Sequence, residues 1–216
     1  MVAVPMKPDY GPTLGRLLAP RWHAATALTR RAVLAAGLVL LAAIVAGTLT
    51  LLNATFSHGG RVPFSFSYRG LYRVAPDPGG YVKVQRRGAD GTLRDSFAVD
   101  PLRLPSYTGG LFGELPIYAA GYIRTLSRRY SGFVLRGEGK TKVNNVPAYH
   151  VFYTAVVDGR EMYGRDVLLL PERQGVREGV DIVMLSTVPR TSKLSSPIEV
   201  ASTGILLRPL KSFTFG

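Results

Sequence analysis

The chain has 216 residues, 46% of them hydrophobic, with 27 Lys+Arg against 14 Asp+Glu, 3 His and no Cys. That length suits one domain with an appendage rather than two full domains. The lack of cysteine excludes a disulfide scaffold, a thiolate zinc site, an iron–sulfur cluster and a cysteine nucleophile, and His23, His58 and His150 are too few for a histidine metal cage.

The first element is the run Ala32 to Leu52, whose only non-apolar residues are Gly37, Gly47, Thr48 and Thr50. As a helix at ~1.5 Å per residue it reaches roughly across a ~30 Å hydrocarbon core, so it reads as a transmembrane helix. Residues 1–31 carry Lys7, Arg16, Arg21, Arg30 and Arg31 against Asp9, a net of +4, whereas Asn53 to Gly60 has no Lys or Arg. The positive-inside rule then puts residues 1–31 in the cytoplasm and everything beyond the span outside it. The expected organisation is a basic cytoplasmic segment at 1–31, a single span at 32–52, a linker at 53–61 and an extracytoplasmic domain at 62–216. A cleaved signal peptide is the competing reading, and Thr29-Arg30-Arg31-Ala32-Val33-Leu34 has the look of a loose twin-arginine motif. The run exceeds the ~7–15 residues of a signal core and no A-x-A site follows, which favours an uncleaved anchor in the cell membrane.

Ser57 to Gly60 reads as flexible linker, with His58 solvated in it. From Val62 to Tyr68, Phe64, Phe66 and Tyr68 alternate with Ser65 and Ser67, the period of a strand, and Leu71 to Val74 continues it. Pro76 to Gly80 is a turn. Tyr81–Arg87 and Thr92–Val99 then flank Asp90-Gly91 as a hairpin. Between Leu111 and Tyr130, Leu115, Tyr118, Ala119, Tyr122, Ile123 and Leu126 recur at three and four residues, predicting a helix with one apolar stripe. Pro116 suits its start, and Arg124, Arg128 and Arg129 suit the negative end of its dipole.

Three strands follow as a meander: Phe133–Val143, a turn at Asn144-Asn145, Pro147–Val157, a turn at Asp158-Gly159, and Arg160–Leu170. Val180–Thr187 is a last strand. Ser196-Pro197, with Glu199 three residues after the serine, predicts a second helix whose Val200, Thr203, Leu206 and Leu207 face the sheet. The order predicts an α+β domain with helices on a mostly antiparallel sheet.

Phe64-Ser65-Phe66-Ser67-Tyr68 with Pro78-Gly79-Gly80-Tyr81 behind it is similar to the opening strand and P-x-G-W/Y turn of the PsbP-like family. Val143 to Tyr149 resembles that family's V-x-G-x-P-A/G-Y hairpin, with Asn145 in place of the usual Gly, and Ser212-Phe213 is similar to its SF ending. The resemblance spans about residues 62–215. It implies an α/β/α sandwich with a binding or assembly role rather than a catalytic one.

The residues themselves offer little chemistry. Gly139-Lys140-Thr141 lacks the first glycine and following helix of a phosphate loop, and Gly137-x-Gly139 lacks the third glycine of a dinucleotide fingerprint. His150 has no serine elbow or orienting carboxylate beside it in sequence, so it reads as structural. Asp158, Glu161 and Asp166 cluster on one hairpin, interleaved with Arg160 and Arg165 as surface ion pairs. A membrane-tethered hydrolase using Glu161 and Asp166 is the alternative to a non-catalytic module. No catalytic, cofactor or metal residue is assigned. Residues 53–216 carry a net charge of +9, concentrated at Arg86-Arg87, Arg128-Arg129 and Lys140-x-Lys142. Such faces suit a protein partner, an anionic envelope polymer or lipid headgroups. No nucleic-acid motif accompanies the charge.

Overall fold

A computed structural model describes residues 26–51, 53–105, 111–171, 177–188 and 195–216, with the side chains of 30, 33, 44–51, 111 and 112 outside it. It divides into two units, Met1–Leu51 and Leu52–Gly216.

The first unit holds helix α1, Ala27–Leu51. Thr26 caps it, its Oγ1 accepting from the Thr29 amide at 3.3 Å. Leu38, Val39, Leu40 and Leu41 are each more than 60% exposed. Four consecutive residues at ~100° each wrap most of the circumference, so the described helix is apolar on every side. Among the described residues no helix is long and apolar enough to cross a membrane.

The second unit is built on a seven-stranded sheet of order β3-β4-β5-β9-β8-β7-β6. Its strands are β3 (Tyr72–Val74), β4 (Val82–Arg87), β5 (Leu93–Arg103), β6 (Ser131–Val143), β7 (Val146–Val157), β8 (Arg160–Leu169) and β9 (Glu178–Thr187), all paired antiparallel. The domain is therefore α+β with an antiparallel sheet, as expected. Central β8 and β9 are buried on both faces, which explains why DVLL and VDIVML run almost without polar residues.

One face is covered by helix α2, Leu111–Arg129, through the predicted stripe: Leu115, Ala119 and Leu126 are buried against Leu102, Val151, Tyr153 and Leu168. Pro116 lies inside this helix, in its second turn. The other face is covered by a three-stranded sheet β1-β2-β10: β1 (Asn53–His58), β2 (Phe64–Arg69) and β10 (Thr214–Phe215). Phe64, Phe66 and Phe213 pack there against Val84, Phe97, Val167 and Ile182. The second outer layer is thus a small sheet with a short helix, where an α/β/α sandwich would have long helices.

Four expectations change. Asn53–His58 is a strand paired with β2, not linker, because Phe56 packs on Phe66 with ring centroids 5.7 Å apart. His58, rather than being solvated, lies 4.4 Å from the Tyr81 ring. Tyr72–Val74 does not extend β2, because Gly70 turns the chain with φ +69° and β3 pairs with β4 instead. Ser196 does cap a turn, accepting from the Ile198 amide at 3.4 Å, but the turn is a 3-10 one that ends at Glu199. A helix continuing from Pro197 would hold Pro209 deep inside, where a proline lacks its donor and clashes with the preceding turn. The chain instead breaks at Ala201 (φ +59°) and restarts as α3, Leu207–Lys211, with Pro209 in its first turn. Val200 and Leu206 are buried as expected, whereas Thr203 is exposed.

The predicted hairpins are present. Asn144 and Asn145 take φ of 47° and 71°, and Asp158 and Gly159 take 51° and 73°, the left-handed pairs of two-residue turns. Asn145 supplies the conformation for which the family's hairpin uses glycine. β5 runs on through Pro101, tolerated because β4 pairs only as far as Val99 and the missing donor faces no partner.

Candidate functional site

The basic residues singled out by sequence lie in separate places. Arg86 is bound to Asp95, with Nε at 2.8 Å and Nη2 at 2.5 Å, and Asp95 also accepts from Ser186 at 2.8 Å. Arg87 donates to the Gly91 carbonyl at 2.8 Å. Arg129, at the end of α2, pairs with Asp77 at 3.2 Å, which also takes Lys83 at 2.9 Å. Arg128 is exposed beside it. Lys140 and Lys142 are exposed on the edge strand β6. Four strands separate β4 from β6, roughly 24 Å at the usual ~4.8 Å spacing, so the six cations do not form one patch.

The strongest constellation lies under α2 and was not read from the sequence as a group. Asp166 on β8 is 0% exposed and Asp181 on β9 is 6% exposed. Strand alternation turns Asp166 to the face that carries Leu168, and Asp181 to the face that carries Leu185, both beneath α2. Tyr122 drops its hydroxyl between them, 2.6 Å from Asp166 Oδ2 and in hydrogen-bond contact with Asp181 Oδ2. Tyr153 donates to Asp166 Oδ1 at 3.0 Å. It reaches there because it sits opposite Gly164 on β8, where a Cβ would fall 2.2 Å from the tyrosine ring. Tyr130 and Phe133 pack on that ring at 5.7 and 5.3 Å.

The geometry counts protons. A tyrosine hydroxyl carries one hydrogen and can donate to one carboxylate only, so the second contact requires a proton on an aspartate. The electrostatics agree. Burial raises Asp166 to about 7, although Tyr122, Tyr153 and Arg129 pull it down. Burial and then the neighbouring Asp166 charge raise Asp181 well above the ordinary carboxylate range. Two carboxyls in one dry site cannot both ionise cheaply. Burial likewise pushes Tyr130 up to about 12 and raises Tyr122 and Tyr153 well above the ordinary phenol range. The cluster is a proton-holding polar knot that ties α2 to β7, β8 and β9.

Asp166 is therefore not a surface carboxylate, and Arg165 is not its ion-pair partner, because neighbours along a strand point to opposite faces. Glu161 is exposed near the start of β8 and shares no site with it. His150 is half-buried against Phe152 at 4.4 Å, and burial first and Arg165 second lower it to about 4, so it is neutral at physiological pH. One further buried acid, Glu114 in the first turn of α2, is bound by Arg177. Among the described residues no group of acids and histidines could hold a metal ion. The signal available in the sequence was the lone Asp181 inside VDIVML: an acid within a doubly buried strand must be neutralised or paired.

No family model matches the chain, and no curated protein matches it. Its structure is similar to several solved ones. Among them are cyanobacterial PsbP from Synechocystis (15% identity, 76% of this chain and 92% of that one, TM-score 0.45), LpqN, involved in cell envelope biogenesis of Mycobacterium tuberculosis (8%, 76% and 91%, 0.48), and the Ran-binding protein Mog1p of Saccharomyces cerevisiae (11%, 75% and 94%, 0.47).

Proposed function

We propose that the chain is a single-pass membrane protein that holds a non-catalytic binding module outside the cytoplasm, in the cell envelope, where it engages an acidic protein or an anionic envelope surface. The observation that carries this reading is α1, whose exposed Leu38, Val39, Leu40 and Leu41 go round the helix and whose sequence has no charge from Ala32 onward. A helix apolar all round needs an apolar solvent, and the +4 flank before it orients such a span with the N-terminus inside. The net charge of +9 on residues 53–216 supports an anionic partner. Against a hydrolase stands Asp166, sealed beneath α2 and bound to two tyrosines, where no substrate reaches it.

A reporter that is active only outside the cytoplasm, fused after Gly216, tests the orientation, and activity of a cytoplasm-only reporter overturns it. Crosslinking in native membranes, followed by capture in rising salt, tests the partner. Loss of the partner near ~0.1 M salt fits exposed basic contacts such as Arg128, Lys140 and Lys142, because screening sets in beyond ~10 Å. Retention at high salt refutes the anionic partner.

A further inference from the structure

On the face opposite the carboxylate knot, a cavity of about 300 Å³ opens between the β6–β7 turn and the C-terminal segment. Lys142, Arg165, Ser202 and Lys211 line it, with Asn144 and Leu210, and no acidic side chain does. Arg165 is only 9% exposed. Its Nη1 donates to the Val200 carbonyl at 3.0 Å and its guanidinium lies 5.2 Å over the Phe152 ring. Its Nε is buried and has no hydrogen-bond partner among the described residues. Neither Arg165, Lys142 nor Lys211 is in an ion pair with any described residue.

Burying an ion costs several kcal/mol even after relaxation, and a lone carbonyl and an aromatic face offset only part of that for a guanidinium. Native proteins bury Arg with a carboxylate. Here the neighbouring His150 is no partner, since burial and Arg165 hold it neutral. Two lysines add charge of the same sign. The walls are nevertheless built rather than loose: Asn144 donates through Nδ2 to the Lys211 carbonyl at 2.8 Å and the Phe213 carbonyl at 2.6 Å, tying the turn to the C-terminal segment. Ala201, in the adjoining wall, holds a left-handed φ of 59°, a conformation that costs a non-glycine residue energy.

We propose that this cavity is a binding site for a phosphate group, held by the guanidinium of Arg165 and the ammonium groups of Lys142 and Lys211. Three converging cations match the charge of a phosphate better than that of a single carboxylate. Arg165 meets phosphate oxygens with the part of its planar guanidinium that borders the cavity, and the lysines act as point charges at the mouth. The site is independent of the membrane anchor and differs from the basic faces except at Lys142.

The test is calorimetric titration of the full chain in non-ionic detergent with inorganic phosphate, beside Arg165→Met, Lys211→Gln and Lys142→Gln. The expected result is saturable binding that raises Tm, weakened about tenfold by each lysine change and abolished by Arg165→Met. Arg165→Met should keep or raise the Tm of the unliganded protein, because it removes a buried charge, whereas an arginine with a purely structural role would lower it. If that variant fails to fold, the two exposed lysines decide. No saturable binding at millimolar phosphate, or binding indifferent to both lysines, overturns the proposal. Repeating the titration in phosphatidylcholine nanodiscs with and without phosphatidic acid separates the sources. Weaker apparent phosphate affinity with phosphatidic acid identifies a headgroup phosphate as occupant, and unchanged affinity identifies a soluble phosphate compound.

Discussion

Replacing Asp166 with Asn tests the proton-holding knot. The carboxyl is fully buried, and its pKa rises from 3.8 to about 7. A group whose folded pKa is raised contributes stability that is complete below the unfolded value and is lost as pH climbs through the folded one. For Asp166 that window runs from about pH 4 to about pH 7. At ~1.4 kcal/mol per pH unit, the contribution lost is of the order of 4 kcal/mol. His150 works in the opposite sense: lowered from 6.5 to about 4, it contributes stability above the upper value that is lost as pH falls through the lower. The native pH profile therefore sets the raised Asp166 and Asp181 against the lowered His150, and the variant removes the Asp166 part. Asn keeps the shape, accepts through its carbonyl from one of Tyr122 and Tyr153 and donates its NH2 to the hydroxyl of the other, but carries no proton that can leave. Urea unfolding of the parent and Asp166→Asn, followed by near-UV circular dichroism of the tyrosines from pH 4 to 8, should show the variant gaining on the parent by a few kcal/mol as pH rises. A stability difference that stays flat across that range refutes the shared proton.

Leu126→Asp places a charge on the α2 face, where Leu126 is 1% exposed, and should cost on the order of ~3–5 kcal/mol by thermal melting. Gly164→Ala drives a methyl into the Tyr153 ring, which Tyr130 and Phe133 hold in place. It should destabilise by at least ~1–3 kcal/mol and, by removing the Tyr153 bond that holds Asp166 down, push that carboxyl up and carry its loss of stability to higher pH than in the parent. On the proposed membrane anchor, Leu40→Arg puts a charge in the middle of the apolar run at a cost of about 3 kcal/mol for insertion, and should shift protein from a carbonate-resistant membrane fraction into the soluble one; a parent already in the soluble fraction refutes the anchor.

The turns were legible because their information is local. Asn144-Asn145 and Asp158-Gly159 are side chains that tolerate positive φ, standing between alternating segments, and both appear with that geometry. The stripe of α2 was legible for the same reason, since 3.6-residue periodicity names a buried face whatever it packs against. The apolar run through α1 is a property of composition alone. Strand order was not local. Tyr122, Tyr153, Asp166 and Asp181 come from four elements, and only the arrangement β9-β8-β7 beneath α2 brings them together. Sequence spacing placed Asp166 beside Glu161 and Arg165 as a surface ion pair. Strand alternation, together with layers on both faces of β8, buried Asp166 on one side and Arg165 on the other. A charge has no fixed pKa until its surroundings are assembled. Proton storage beneath α2 and positive charge above the opposite face were therefore decided by tertiary packing, although every residue involved stood plainly in the chain.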